Sequence, residues 1–157
     1  MPTAACTIRQ IGIDELDTAT NLRAAMNAEM QGIDPDLAFP GWRARFHAFF
    51  EERLRAERAA LYVAEAPDRA CGLASVYLMV NHRTEIFRQP SAYITSVYVV
   101  PEQRRQRIAT RLTQACIDWA KARGCDQVRL RTSDMGRAVY VAMGFSPSNE
   151  LEMRLKG

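Results

Sequence analysis

The stretch from Ala92 to Gly124 constrains the fold of this chain more than any other. It opens with AYITSVYVV, a run of β-branched and aromatic residues over Ala92–Val100 that predicts a central strand. The basic turn PEQRRQR follows directly. From Ile108 onward apolar residues recur at helical spacing until Gly124 ends the pattern, which predicts a helix. The chain must therefore build a sheet and place at least one helix against it.

On the N-terminal side the pattern predicts a strand, two helices and a hairpin. Thr7–Ile11 fits a short strand, and Asp14 is positioned to cap the first helix. An aromatic stripe marks the second helix, and GIDPDLAFPG separates the two. The segments AALYVAEA and GLASVYLMV, at Ala59–Ala66 and Gly72–Val80, predict an antiparallel hairpin. The polar segment NHRTEIFRQP predicts a loop.

On the C-terminal side the pattern predicts two strands with a short helix between them. DQVRLRT alternates as a strand, Met135–Met143 fits a short helix that Gly144 closes, and LEMRL fits a last strand. This order of elements predicts an α/β fold in which a mixed sheet carries helices on both faces. No repeat or linker interrupts the order, so residues 1–157 are expected to form a single domain.

The net charge limits the classes of partner. The 21 Lys and Arg residues and the 18 Asp and Glu residues give +3, which suits an anionic ligand but falls short of the strongly basic balance of nucleic-acid binders. The aromatic residues lie at core-like spacing and not among exposed basic residues. We therefore expect no nucleic-acid partner.

The cysteines and the N-terminus indicate the compartment. Cys6, Cys71, Cys116 and Cys125 lie far apart, without a CxxC pair or a histidine at ligand spacing, which argues against a metal site and a disulfide framework. MPTAACTIRQ lacks the apolar stretch of a signal peptide, and no apolar run approaches the roughly 18 residues of a membrane helix. The sequence predicts a cytoplasmic protein with reduced thiols, no metal and no membrane contact.

The turn between Val100 and Ile108 has the chemistry of an anion site. A strand, a proline and a basic turn that feed a helix direct free backbone N–H groups and the positive end of the helix dipole to one point. Phosphate binds at such points, and arginines add charged hydrogen bonds to its oxygens. A solvated, basic helix start explains the same residues equally well, so both interpretations stay open on this evidence.

PEQRRQRIA, together with the strand before it and RAVYVAMGF downstream, resembles the acetyl-CoA signature of the GNAT-type N-acetyltransferase superfamily. The family's phosphate motif, Arg/Gln-x-x-Gly-x-Gly/Ala, falls on Arg104, Arg107 and Ala109. Arg107 stands where glycine is usual, so its side chain either crowds the close backbone approach or folds outward to pair with a phosphate. The resemblance implies a GNAT-like acyl-CoA N-acyltransferase fold with a mixed, mostly antiparallel sheet flanked by helices.

The same resemblance implies acetyl-CoA as the cosubstrate and indicates the residues that hold it. Backbone N–H groups of the turn would bind the pyrophosphate, and the main chain of the central strand would pair with the pantetheine arm. Ser133 falls where many relatives carry an asparagine near the pantetheine, and Arg137 belongs to a Gly-Arg-x-x-Tyr pattern. The predicted cofactor-binding residues are Val97, Val99, Arg104, Arg105, Gln106, Arg107, Ile108, Ala109, Thr110, Ser133 and Arg137.

The implied reaction is direct acetyl transfer, in which a neutral amine attacks the thioester carbonyl of acetyl-CoA and CoA thiolate leaves. Tyr140, just before the Gly-Phe pair, is the implied catalytic acid. A backbone N–H of Val97 or Val99 is the implied oxyanion donor. Because the central strand carries no carboxylate, the base is expected to be remote and reached through water, with Glu29 and Asp34 as candidates.

Three functions of different classes remain. The first is an acyltransferase that acetylates a primary amine of a small molecule or a peptide. The second is a GNAT-like CoA-binding protein without catalysis, and the third is a basic module that binds nucleic acid. The loops GIDPDLAFPG and NHRTEIFRQP are expected to line the acceptor site. The sequence leaves open the identity of the amine and whether the chain forms a homodimer.

Overall fold

A five-stranded sheet in the order β1-β2-β3-β4-β5 lies at the centre of the structure. The computed structural model describes residues 6–88 and 90–156. The strands are β1 (Thr7–Ile11), β2 (Ala59–Glu65), β3 (Ala70–Met79), β4 (Ser91–Val99) and β5 (Gln127–Leu130). The helices are α1 (Leu16–Gln31), α2 (Pro35–Ala38), α3 (Trp42–Arg55), α4 (His82–Phe87), α5 (Ile108–Ala122) and α6 (Asp134–Ala142).

The strand directions confirm the predicted mixed, mostly antiparallel sheet. β1, β2, β3 and β4 pair antiparallel in sequence order, and β5 joins the edge of β4 in parallel. A parallel pair requires a crossover, which α5 supplies. The predicted hairpin is the pair of β2 and β3, and the predicted central strand is β4.

Helices cover both faces of the sheet, as predicted. A Cβ atom at Gly72 of β3 would lie 3.1 Å from the Leu112 side chain of α5. Tyr77 lies an odd number of residues further along β3 and therefore points to the other face. There its ring packs edge-on against Phe49 of α3, with 5.2 Å between the centroids. α1 packs on β3, β4 and α3, so the core has one layer under α5 and another under α1 and α3.

Three local predictions are wrong in detail. Asp14 does not cap the first helix, because a 3-10 turn occupies Ile13–Glu15 and α1 begins at Leu16. The loop GIDPDLAFPG contains α2, which the Asp34 side chain caps, and NHRTEIFRQP contains α4, which Asn81 caps. These helices have four and six residues. Because they complete little more than one turn, they leave no apolar period in the sequence.

The predicted last strand, LEMRL, is also wrong. The described residues 146–156 contain no strand, although Glu150 and Glu152 form ion pairs with two arginines of β5 and the residue that follows it. The apolar side chains of this segment are exposed: Leu151 at 100%, Met153 at 81% and Leu155 at 87%. The alternation that indicates a strand finds no apolar surface to bury, and exposed ion pairs contribute too little free energy to hold a strand.

Two further features concern the residues that the structure describes. None of their helices is both long and apolar enough to span a membrane. No group of three or more His, Cys, Asp or Glu side chains among them is arranged to hold a metal ion.

Candidate active site

The sheet opens into a fork between its two parallel strands. β5 ends at Leu130, opposite Ile94 of β4, whereas β4 continues alone to Val99. The carboxyl ends of parallel strands lie at one edge of a sheet, and ligands of α/β proteins bind in the crevice at that edge. The turn after β4 and the start of α6 after β5 therefore flank this fork.

β4 carries a bulge where the fork opens. The pairing with β3 shifts by one residue, so that Ser96 and Val97 share one position opposite β3. Ser96 has a φ of 59°, and the Ser75 hydroxyl donates to the Thr95 carbonyl at 2.9 Å. A bulge leaves main-chain groups without ladder partners. The main chain at Val97 is therefore free for the ligand contact that the sequence predicts.

The turn after β4 presents a row of free donors. Arg105 and Arg107 have φ values of 67° and 59°, and α5 begins at Ile108. The first helical hydrogen bond runs from the Arg111 N–H to the Arg107 carbonyl at 3.0 Å. Among the described residues no acceptor receives the backbone N–H groups of residues 105–110. These donors and the positive end of α5 form a cradle suited to a phosphate or diphosphate.

Arg104 ties this turn to the rest of the protein. Its Nε donates to the Val99 carbonyl at 2.9 Å, and its Nη2 donates to both Glu29 carboxylate oxygens at 2.8 and 2.6 Å. Its backbone N–H donates to the Pro101 carbonyl at 3.3 Å, and Glu29 also accepts from the Tyr98 hydroxyl at 3.3 Å. The Arg104 N–H and the Val99 carbonyl thus have protein partners, while their ligand contacts stay predictions.

Arg107 adopts the left-handed conformation at the N-cap of α5, with its side chain exposed. Glycine reaches a positive φ without steric cost, whereas other residues are strained there by about 1–2 kcal/mol. The glycine of the family motif therefore has a backbone role in this turn, and Arg107 takes the same shape under strain. The guanidinium has no ion pair with any residue of the described chain.

Tyr140 lies on α6, on the β5 side of the fork. Its half-buried ring packs edge-on against Phe145, with 5.8 Å between the centroids. Burial, with a smaller contribution from Cys116, raises the pKa of the Tyr140 hydroxyl. Burial also raises the pKa of the Cys116 thiol to about 12, so this thiol is neutral at working pH and burial is the operative cause. The hydroxyl is therefore protonated well beyond neutral pH, as an acid requires.

The other predicted ligand residues flank the fork without touching one another. Ser133 caps α6, and its hydroxyl accepts from the Gly136 N–H at 3.3 Å. Arg137 is exposed on the same helix. The Gln106 side chain donates to the Gln103 amide oxygen at 3.3 Å. Ile108 is buried, so only its main chain can face a ligand.

Both candidate bases have other partners in the protein. Glu29 holds Arg104, and Asp34 accepts from the Asp36 N–H at 2.9 Å as the cap of α2. A carboxylate stabilised by a cation or by a backbone N–H is a weaker base. The structure therefore gives neither residue the free carboxylate that removal of a proton needs, and the base stays a prediction.

The family follows from the sequence that carries the fork and the turn. A family model described as Acetyltransferase (GNAT) family matches residues 23–145, which include β4, the turn, α5 and α6. The chain belongs to the GNAT acetyltransferase family. In this GNAT protein the phosphate motif of the family coincides with the row of free N–H groups after β4.

Three relatives place the GNAT chain among known proteins. Aminoglycoside N(6')-acetyltransferase type 1 of Klebsiella aerogenes is 32% identical over 95 residues, which are 58% of this chain and 62% of that protein. The chain therefore aligns with less than two thirds of this relative. A predicted acetyltransferase from Clostridium acetobutylicum, solved with acetyl-CoA, has a TM-score of 0.79 at 22% identity and covers 96% of both chains. The GCN5-related N-acetyltransferase from Ralstonia eutropha JMP134 has a TM-score of 0.77 at 24% identity, over 97% of this chain and 99% of that chain. The likeness confirms the predicted fold.

Proposed function

We propose that this GNAT protein is an acetyl-CoA-dependent N-acetyltransferase that acetylates a primary amine of a small molecule or a peptide by direct attack. The observation that carries the proposal is the row of free backbone N–H groups at residues 105–110 beside the fork. This row suits the diphosphate of acetyl-CoA, and the unpaired part of β4 suits its extended pantetheine arm. The name of the Klebsiella aerogenes relative supports the same reaction.

The proposed reaction needs three contributions from the chain. The amine nitrogen bonds to the acetyl carbonyl carbon, the bond from that carbon to sulfur breaks, and the amine proton leaves through water. We assign a main-chain N–H in the bulge at Val97 to the carbonyl oxygen, on which negative charge develops. The Tyr140 hydroxyl gives its proton to the leaving CoA thiolate. The turn at residues 105–110 holds the phosphates and fixes the direction of the thioester.

Titration calorimetry with acetyl-CoA tests the first half of the proposal. We expect binding that weakens as salt is added, because the contact between the cationic turn and the phosphates is screened. S-acetylpantetheine is the matched control ligand, since it carries the thioester but no diphosphate and should bind far more weakly. A panel of amines with detection of the free CoA thiol then tests transfer.

Each alternative function has its own outcome in these assays. Binding of acetyl-CoA without thiol release for any amine would indicate a CoA-binding protein that lacks catalysis. Absence of acetyl-CoA binding, together with oligonucleotide binding that falls steeply with salt, would indicate the nucleic-acid module. We expect neither outcome, because the free N–H row forms one compact anion site and not an extended basic surface.

Arg107→Gly is expected to keep or increase the affinity for acetyl-CoA and to keep or raise the Tm, because glycine removes the left-handed strain. Calorimetry and thermal unfolding measure the two effects. Arg107→Ala is the matched control, since it deletes the guanidinium but keeps the strain, and its Tm should lie below that of Arg107→Gly. A loss of about 1.5–3 kcal/mol of binding free energy in both variants would instead show that the guanidinium binds a phosphate.

We also propose that the protein works in the reducing cytoplasm. All four cysteines are free, and two of them, Cys6 and Cys71, have Sγ atoms only 3.4 Å apart. Disulfides form and persist in oxidising compartments, and thiols this close suit a compartment that keeps them reduced. The absence of a nucleic-acid partner and the question of a homodimer stay predictions.

A further inference from the structure

α1 directs one arginine toward the sheet. Leu16, Ala19 and Thr20 are buried on the inner side of this helix. Arg23 follows them at the spacing of three and four residues that keeps side chains on one helix face, and it is half-buried. α1 packs on β3 and β4. The Arg23 side chain therefore lies between the helix and the sheet.

Arg23 has no acidic partner among the described residues, and its guanidinium contacts the Met26 sulfur at 3.1 Å. A thioether is a weak acceptor. Other arginines hold a carboxylate: Arg9 with Glu15 at 2.7 Å, Arg43 with Asp36 at 2.9 Å and Arg104 with Glu29 at 2.6 Å. Burial without such a partner lowers the pKa of Arg23. An uncompensated, partly desolvated charge costs folding free energy, which an anionic ligand offsets when it binds.

Two contacts give the direction of α1 along the sheet. β1 ends at Ile11, which the strand register places level with Thr95 of β4. α1 starts from that end of the sheet, and near its own end Glu29 contacts the Tyr98 hydroxyl at 3.3 Å. α1 and β4 therefore run in the same direction.

The height of Arg23 follows from that direction. At 1.5 Å per helical residue Arg23 lies about 9 Å before Glu29, and at about 3.3 Å per strand residue Thr95 lies about 10 Å before Tyr98. Arg23 is therefore level with Thr95, where the bulge opens. Tyr93 stacks on Tyr77 on the side of α3, and the alternation of a strand places Thr95 on that same face.

We propose that Arg23 binds the carboxylate of the acceptor, so that this enzyme acetylates amines that carry a carboxylate. The inference rests on the N-acetyltransferase activity proposed above. The acceptor amine has to reach the acetyl group beside the bulge, and Arg23 faces the same level of β4 from α1. A guanidinium binds a carboxylate through two parallel hydrogen bonds. The same charge repels a polycationic acceptor such as an aminoglycoside.

Paired acceptors test this inference directly. Phenylalanine with phenethylamine and lysine with cadaverine differ only in the carboxylate, and kanamycin represents a polycationic acceptor. With CoA thiol release as the readout, wild-type protein should show the higher kcat/KM for the amino acid of each pair and the lowest for kanamycin. Arg23→Met should raise the KM for the amino acid by about 10- to 100-fold, as expected for loss of a charged hydrogen bond.

Two controls separate binding from folding. Arg23→Met should leave the KM values for acetyl-CoA and phenethylamine unchanged and should raise the Tm, because it removes an unpaired, partly desolvated charge. Arg55→Met removes an exposed arginine of α3 that pairs with Glu51, and it should change neither the acceptor preference nor the KM. N-acetylphenylalanine should raise the Tm of the wild type but not that of Arg23→Met.

The inference and the proposed function fail in different ways. If no amine releases the CoA thiol, the N-acetyltransferase proposal fails, and the thermal shift with N-acetylphenylalanine decides the role of Arg23 alone. If the thiol is released but the decarboxylated amines or kanamycin match the amino acids, the carboxylate assignment is wrong. It is also wrong if Arg23→Met slows both members of a pair equally, or if N-acetylphenylalanine leaves the wild-type Tm unchanged.

Discussion

Tyr140→Phe is expected to lower kcat by about 10²–10⁴-fold while acetyl-CoA affinity and Tm stay close to wild type. The substitution keeps the ring that packs on Phe145 and deletes only the hydroxyl. The leaving thiolate gains charge as the carbon–sulfur bond breaks, so the O–H acts mainly in the transition state. Loss of such an interaction lowers kcat and kcat/KM together. Steady-state kinetics with an accepted amine and calorimetry with acetyl-CoA measure both sides.

The pH profile separates an acid from a packing residue. Burial raises the pKa of Tyr140 above its usual value of about 10. The proton is present below that pKa, so the contribution of Tyr140 to kcat is lost only as the pH rises through the raised value. Wild-type kcat should therefore hold past the ordinary titration of tyrosine, and this alkaline limb should be missing in Tyr140→Phe. Near wild-type kcat for Tyr140→Phe at every pH would assign protonation of the thiolate to water.

Leu112→Ala is expected to destabilise the fold by about 2–5 kcal/mol, the range for truncation of a buried leucine. Leu112 is fully buried on α5, and its Cδ1 lies 3.1 Å from the position that a Cβ on Gly72 would occupy. A cavity there would loosen the contact between α5 and β3 behind the turn that presents the free N–H groups. Urea unfolding with two-state analysis measures the free energy of unfolding.

Leu151→Ala is the matched control for this experiment. Leu151 carries the same side chain but is 100% exposed, so the change should stay within about 0.5 kcal/mol. Equal destabilisation by the two variants would show that the C-terminal segment is buried in solution. A small effect of Leu112→Ala alone would contradict the packing of α5 on β3.

Elements with a strong local pattern were predictable from the sequence. The strand β1 has the predicted bounds, and the hairpin, the central strand and the helix from Ile108 were predicted within a few residues, because apolar period and turn residues act locally. The location of the phosphate turn was predictable for the same reason. A proline and a run of arginines between a strand and a helix allow few other conformations.

Long-range contacts of the site were not predictable in this way. The ion pair of Glu29 with Arg104 joins residues 75 positions apart, and neither residue carries a local signal for the other. The bulge at Ser96 depends on the register that β3 imposes. The last predicted strand was wrong although LEMRL alternates, because a strand also needs an apolar surface, and Leu151 finds none.

The sequence by itself determined the order of the elements, the mixed sheet and the anionic character of the site's ligand, since each depends on neighbours along the chain. Only the tertiary structure decided which polar groups have partners. Arg104 and Arg23 look alike in the sequence, yet the fold brings a carboxylate to Arg104 and leaves Arg23 half-buried without one. The physical reason is that a charge is compensated by groups close in space, and packing of α1 on the sheet alone determines which groups those are.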